Sequence, residues 1–259
     1  MRNTLPEPVP GSGREASAPD AHAHAHAHAQ DAHAVRRVLS LCGLVPLGAF
    51  LLVHLAINAS ALRGGWAFAR TAVAVQDFPL LPLIEWLFVF APLAVHAGLG
   101  TWLLVRGRTL EPPRPYPHPV RLAMRGTAVG ALLFVMAHLA EIRFRAPGVH
   151  LDPGALATLL DADLSATAHG VPWAGVAYLV GTACVTFHFA CGAWGAYATG
   201  RAGRASARRR RRAAWVALGA GVAMWALFAD VVVLRSTGSA LFGASLSADA
   251  PPGGPCPLP

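Results

Sequence analysis

Residues 80–105 read LLPLIEWLFVFAPLAVHAGLGTWLLV, a run holding one carboxylate (Glu85), one imidazole (His96) and no basic residue until Arg106. A membrane-spanning helix needs about 20 consecutive, mostly apolar residues, and this stretch supplies them. Four other stretches have the same character: 38–62, 126–142 (the shortest of the five), 171–199 and 213–234. Pro46, Pro92 and Pro172 fall in these runs without excluding helices, because neighbouring helices and waters can satisfy the backbone groups that proline frees. The expected fold is therefore all-α, a bundle of five transmembrane helices.

Composition agrees. The chain has 259 residues, 54% hydrophobic and 13% charged, with mean hydropathy +0.46. A soluble domain carries about 25% charged residues, so this chain lacks the polar surface to cover a water-soluble globule. The natural division is a polar Pro/Ala/His-rich tail at 1–35, a five-helix domain at 36–235 and a flexible Gly/Ser/Pro-rich tail at 236–259. The first tail has no apolar core of the kind a signal peptide needs. Its His22, His24, His26, His28 and His33 alternate in a low-complexity segment that fixes no coordination geometry. The stretch 151–164 reads as a short amphipathic helix lying at the outer surface.

All 21 basic residues are arginine, and the net charge is +8. The arginines sit at the ends of apolar runs, which fits interfacial anchors and topology signals and argues against a nucleic-acid surface. Arg36, Arg37, Arg106, Arg108, Arg114, Arg121, Arg125, Arg201, Arg204 and Arg208 to Arg212 all fall on one side. Arg63 and Arg70 (in one loop), Arg143, Arg145 and Arg235 fall on the other. The excess places the N-terminus in the cytoplasm and the C-terminus outside.

Cys42, Cys184, Cys191 and Cys256 form no C-x-x-C pair and no haem-attachment motif, so packing is their expected role and any haem is non-covalent.

Four histidines, His54, His96, His138 and His188, lie inside apolar runs, one in each of the first four; the fifth run has none. An ionisable group at membrane depth usually faces the bundle interior at a functional site. Depth sorts them. His54 is sixteen residues after Val38 and eight before Leu62, and His138 is thirteen after Arg125 and five before Arg143, both in the outer half. His96 is sixteen after Leu80 and ten before Arg106, and His188 is seventeen after Val171 and thirteen before Arg201, both in the inner half. Two imidazoles ligating one haem iron give a six-coordinate electron-transfer centre, so two such pairs would carry two haems b across the membrane. Zinc fits less well, since a two-histidine site lacks its usual further ligands.

Gly98, Gly100, Ala190, Gly192 and Gly195 would let either a flat macrocycle or a neighbouring helix approach. Arg36, Arg37, Arg125 and Arg143 are placed to neutralise haem propionates. Among the acids, Glu141 reads as a surface partner of Arg143, and Asp230 as snorkelling outward or pairing with Arg235.

The run Arg36-Arg37-Val-Leu-Ser-Leu-Cys-Gly-Leu-Val-Pro-Leu-Gly-Ala-Phe followed by His54-Leu-Ala-Ile-Asn58 resembles the first helix of the succinate dehydrogenase cytochrome b558 subunit family. The likeness extends through Glu85 and His96, Arg125-Gly-Thr127, His138-x-x-Glu141-x-Arg143-Phe144 and His188-Phe-Ala-Cys-Gly192-Ala-Trp194, covering roughly 36–235. The sequence departs from the family pattern at Leu39-Ser40, Thr127-Ala128 and Leu99. The resemblance implies a membrane anchor in the bacterial inner (cytoplasmic) membrane, with two non-covalent haems b on His96/His188 (inner) and His54/His138 (outer). It also implies flavoprotein and iron–sulfur partner subunits on the cytoplasmic side, a quinone (usually menaquinone) as electron acceptor, and a complex that can itself oligomerise. Glu85 is then the candidate proton acceptor at the quinone site, because quinone reduction takes up two protons. Two alternatives stand beside this. One is the cytochrome b subunit of another membrane oxidoreductase, of fumarate reductase, nitrate reductase or hydrogenase type. The other is a non-redox membrane protein with proton-relay histidines.

Overall fold

The computed structural model describes residues 34–35, 37–106, 118–144, 153–200 and 206–242; of Arg143, Phe144, Pro153 and Thr199 only the backbone is described. The two terminal tails, Arg36, the Arg143 side chain and most of the loop arginines lie outside these limits.

Seven helices follow one another: α1 (Arg37–Arg63) and α3 (Leu81–Val105), with α2 (Gly65–Gln76) between them; α4 (His118–Leu139), α5 (Pro153–Ser165), α6 (Trp173–Thr199) and α7 (Ala207–Thr237). Among the described residues no strand forms; one isolated bridge pairs Ala168 with Val171. Helices α1, α3, α4, α6 and α7 are long and apolar enough to cross a membrane. Three of them correspond to the expected runs within two residues, while α4 and α7 start earlier, at His118 and Ala207. Large apolar side chains stay exposed along them, among them Leu83, Trp86, Leu133 and Val216, as lipid-facing surfaces require.

The prolines act as helix-compatible residues. Pro46 follows a local break at Val45, and Pro92 follows the widened segment Glu85–Phe90 inside α3. Two short segments widen into π turns, Glu85–Phe90 within α3 and Ala140–Phe144 at the end of α4. Such wide turns occur preferentially at functional sites. Glycine ends two elements: Gly64 (φ 110°) reverses the chain between α1 and α2, and Gly238 (φ 76°) closes α7 in the left-handed region.

Helix association in lipid depends on close approach at small residues and on interhelical hydrogen bonds. Gly221 of α7 packs on Ala190 and Thr186 of α6, and Gly130 of α4 on Cys184 of α6. Two indoles bind α6 to α7: Trp194 Nε1 donates to the Arg210 carbonyl and Trp225 Nε1 to the Leu179 carbonyl, each at 3.1 Å. Helix α7 is the most buried span, its Phe228 and Met224 clustering with Leu55 of α1. The run without a histidine is thus the packing helix.

Two short helices gather at the end opposite the Arg106, Arg125 and Arg208 side chains. The amphipathic helix expected at 151–164 is α5, with Leu160 and Leu164 buried. Of the segment read as a loop carrying Arg63 and Arg70, Arg63 ends α1 and Arg70 lies in α2, whose Phe68 and Ala72 are buried. Phe68 joins Ala61, Val231 and Leu234 in a compact cluster. Arg70 lies over the Trp66 ring at 5.1 Å, which shields its stem at the interface.

Asp230 neither snorkels nor pairs with Arg235. It is 3% exposed, and its Oδ1 accepts the backbone N–H of Leu241 (2.6 Å) and Phe242 (3.4 Å), fastening the chain that leaves α7. Arg235 turns instead to Asp161 of α5 at 2.7 Å.

Candidate functional site

The four histidines sit on four helices, His54 on α1, His96 on α3, His138 on α4 and His188 on α6, each half-buried. The structure brings them together in two pairs. The ring centroids of His54 and His138 are 5.9 Å apart with an interplanar angle of 79°. Those of His96 and His188 are 6.1 Å apart at 76°. Each pair therefore joins one long span to the next but one, α1 to α4 past α3 and α3 to α6 past α4.

Local packing aims each ring. His54 stacks on Phe50 one turn earlier (5.4 Å, 29°) and has Phe228 of α7 beside it (6.4 Å). Asn58 Nδ2 donates to the His54 carbonyl at 2.8 Å, holding that turn of α1. His96 Nδ1 hydrogen-bonds the Leu39 carbonyl at 2.9 Å. Gly43 makes that contact feasible, because a Cβ there would lie 2.6 Å from His96 Cε1 and 2.8 Å from Nδ1. On His188, Nδ1 is buried with no hydrogen-bond partner among the described residues.

His138 has the most elaborate surroundings. Its ring stacks on Phe134 (5.7 Å, 20°), and its Nδ1 lies 3.1 Å from the Tyr178 hydroxyl. Tyr178 in turn donates to Glu141 Oε2 at 2.7 Å. Phe134 meets the edge of Tyr178 (5.3 Å, 86°) and packs against Gly181, which has no side chain to block it. Glu141 therefore faces inward to a tyrosine of α6. The side chain of Arg143, its expected partner, lies outside the described residues.

The donor set fits a metal held between facing imidazoles. If each nitrogen lies about 2 Å from a shared ion, the two nitrogens are about 4 Å apart and the ring centroids roughly 2 Å further, near the spacing found in both pairs. Hydrogen bonds at Nδ1, as in His96 and His138, leave Nε2 to the metal, the usual arrangement for a ligating histidine. No group of three or more His, Cys, Asp or Glu side chains that could hold a metal forms among the described residues. Each pair would thus supply two imidazole ligands and no more, which suits an ion whose remaining ligands come from a macrocycle.

The other expected residues fall into two groups. Arg37 is exposed at the start of α1, where Leu39 meets His96, and Arg125 is exposed two turns into α4. Glu85 is half-buried in the wide turn of α3 at the far end, away from His96. Of the small residues, Gly98 and Gly100 would each meet nothing within 4 Å if given a Cβ, whereas Ala190 is taken up in packing against Gly221. The hydroxyl of Thr127 is spent on its own helix, donating to the Ala123 carbonyl at 2.8 Å. Tyr178 is the site residue that sequence reading missed; its one signal is a phenol placed within an apolar run.

Fold and site together define a class, a multi-pass helical membrane protein whose first four spans contribute two facing pairs of imidazoles. The chain is similar to the succinate dehydrogenase cytochrome b558 subunit of Bacillus subtilis (strain 168), 29% identical over 160 residues, covering 61% of this chain and 75% of that protein. This relative comes from the family that the sequence motifs resemble, and it supports that resemblance. No family model matches the chain, and no solved structure matches it.

Proposed function

We propose that this chain is the cytochrome b membrane subunit of a succinate:quinone oxidoreductase, binding two haems b non-covalently and reducing a quinone, of which menaquinone is the first candidate. The observation that carries the reading is the meeting of four histidines, one per span, in two facing pairs. The name of the Bacillus subtilis relative supports the same complex. When bound, a haem at each pair supplies a reversible one-electron carrier, and two carriers at different depths connect the two faces of the membrane.

The chain's own residues have distinct tasks. The pairs His54/His138 and His96/His188 would each hold one haem iron through their imidazoles. Phe50, Phe134 and Phe228 keep water from the first pair. Arg36, Arg37 and Arg125 offer positive charge to propionates at the His96/His188 end, and Arg143, five residues past His138, offers it at the His54/His138 end. Glu85 accepts or delivers a proton at the quinone site, near the far end of α3. The arginine-rich end faces the cytoplasm and docks the flavoprotein and iron–sulfur subunits. The membrane is then the bacterial inner membrane, with the C-terminus outside.

The test is purification of the chain with whatever subunits accompany it from its native membrane. The expected result is a b-type alpha band on dithionite reduction, two haems per chain, and a flavoprotein and an iron–sulfur protein as companions. A preparation from native membrane with no such band defeats the haem reading and favours proton-relay histidines. A band with other companion subunits moves the chain to a different cytochrome b oxidoreductase.

A further inference from the structure

We infer that Tyr178 is a positioning residue for His138 and that, with Glu141 behind it, it lowers the reduction potential of the haem held by the His54/His138 pair. The inference rests on the haem reading above. Its starting point is proton direction. A phenol has one proton and a carboxylate only accepts. Because Tyr178 gives its proton to Glu141 Oε2 at 2.7 Å, its oxygen has only lone pairs left for His138 Nδ1 at 3.1 Å. Nδ1 must therefore carry the hydrogen, and Nε2 is left with the lone pair that a metal requires. The chain Glu141–Tyr178–His138 thus selects the tautomer as well as the orientation of the ring.

The chain also makes the two pairs electronically unequal. At the other pair both rings rest on neutral backbone groups, His96 Nδ1 on the Leu39 carbonyl and His188 on the backbone of Met124. A carboxylate acting through a polarised hydroxyl raises the basicity of a ligating imidazole. A more basic ligand stabilises the oxidised, more positive iron over the reduced one, so the haem is harder to reduce. A purely structural role, tying α4 to α6, would leave the potential unchanged.

The measurement is a potentiometric titration of both haems in the intact purified complex, followed by absorbance, with His54→Ala identifying which component belongs to the His54/His138 pair. In Tyr178→Phe the phenyl ring keeps its packing on Phe134, and two haems should remain. The His54/His138 component should shift about tenfold toward the reduced form at a given potential, a rise of about 59 mV for one electron, with the other component unmoved. Glu141→Gln keeps an acceptor for the phenol but removes the charge, so a smaller rise in the same component is expected. Both haems bound with neither potential moved by Tyr178→Phe, or both moved equally, overturns the inference. Should Tyr178→Phe lose a haem, Glu141→Gln decides: a rise confined to the same component upholds the inference and no change overturns it. Absence of haem from the unmodified complex is a separate result, which removes the underlying reading before any variant is compared.

Discussion

Arg235 and Asp161, 74 residues apart in the chain, meet at 2.7 Å, with the guanidinium 5% exposed and its carbon 4.4 Å above the Phe68 ring. The contact pins α5 to α7 and brings α2 in through Phe68. Removing one partner of a buried pair strands the other charge, which costs about 3–5 kcal/mol at full burial. Asp161 is 39% exposed and screened by solvent, so Asp161→Ala should cost on the order of 1–2 kcal/mol. A detergent-solubilised thermal melt followed by circular dichroism should show a lower midpoint. An unchanged midpoint would mean that the pair contributes nothing net.

The pairing of histidines predicts which variants share a phenotype. His54→Ala and His138→Ala should each remove the same haem, leaving one per chain with the spectrum and potential of the other pair. His96→Ala and His188→Ala should remove the complementary one. Pyridine haemochrome assay and redox titration of the four proteins test this. A His54→Ala protein that instead matched His96→Ala would contradict the observed pairs.

Gly43 predicts a remote effect on a ligand. In Gly43→Ala the new Cβ would sit 2.6 Å from His96 Cε1, so the imidazole must move and its bond to Leu39 is lost. Loss of such a supporting contact typically weakens metal binding by about 10–100-fold. The His96/His188 haem should be depleted and the other retained. Gly219→Ala, where a Cβ meets nothing within 4 Å, should retain both.

Glu85→Gln addresses the proton at the quinone site. Loss of a general acid–base group slows a reaction by about 10²–10⁴-fold. Succinate:quinone reduction by the whole complex should fall toward that range, while haem content and both potentials stay at their original values. A variant with full quinone reduction would make Glu85 an interfacial acid and nothing more.

The five spans were readable because membrane helices advertise themselves by length and apolarity, properties that need no knowledge of neighbours. The histidine pairs were readable for a related reason: depth along a span is a one-dimensional coordinate that sequence supplies directly. Contacts that depend on rotation about a helix axis were not. Tyr178 meets His138 only because α6 presents that face to α4, with Phe134 fitted against Gly181. The partner of Arg235 was misjudged because Asp230 is close in sequence, whereas Asp161 is close in space. Helix α2 escaped notice because it buries little beyond Phe68 and Ala72, too short a stripe to stand out beside Arg63 and Arg70.

The two histidine pairs interleave along the chain: His96 falls between the members of the first pair, and His138 between the members of the second. A cut anywhere in the segment 107–117 would therefore leave His54 and His96 on one fragment and His138 and His188 on the other. Neither fragment would own a complete pair, and both centres would stand or fall with the reunion of the halves. The bundle is sewn with crossed stitches, so a chain emerging from the ribosome has no finished centre until its third long helix is in place, and its second only with the fourth.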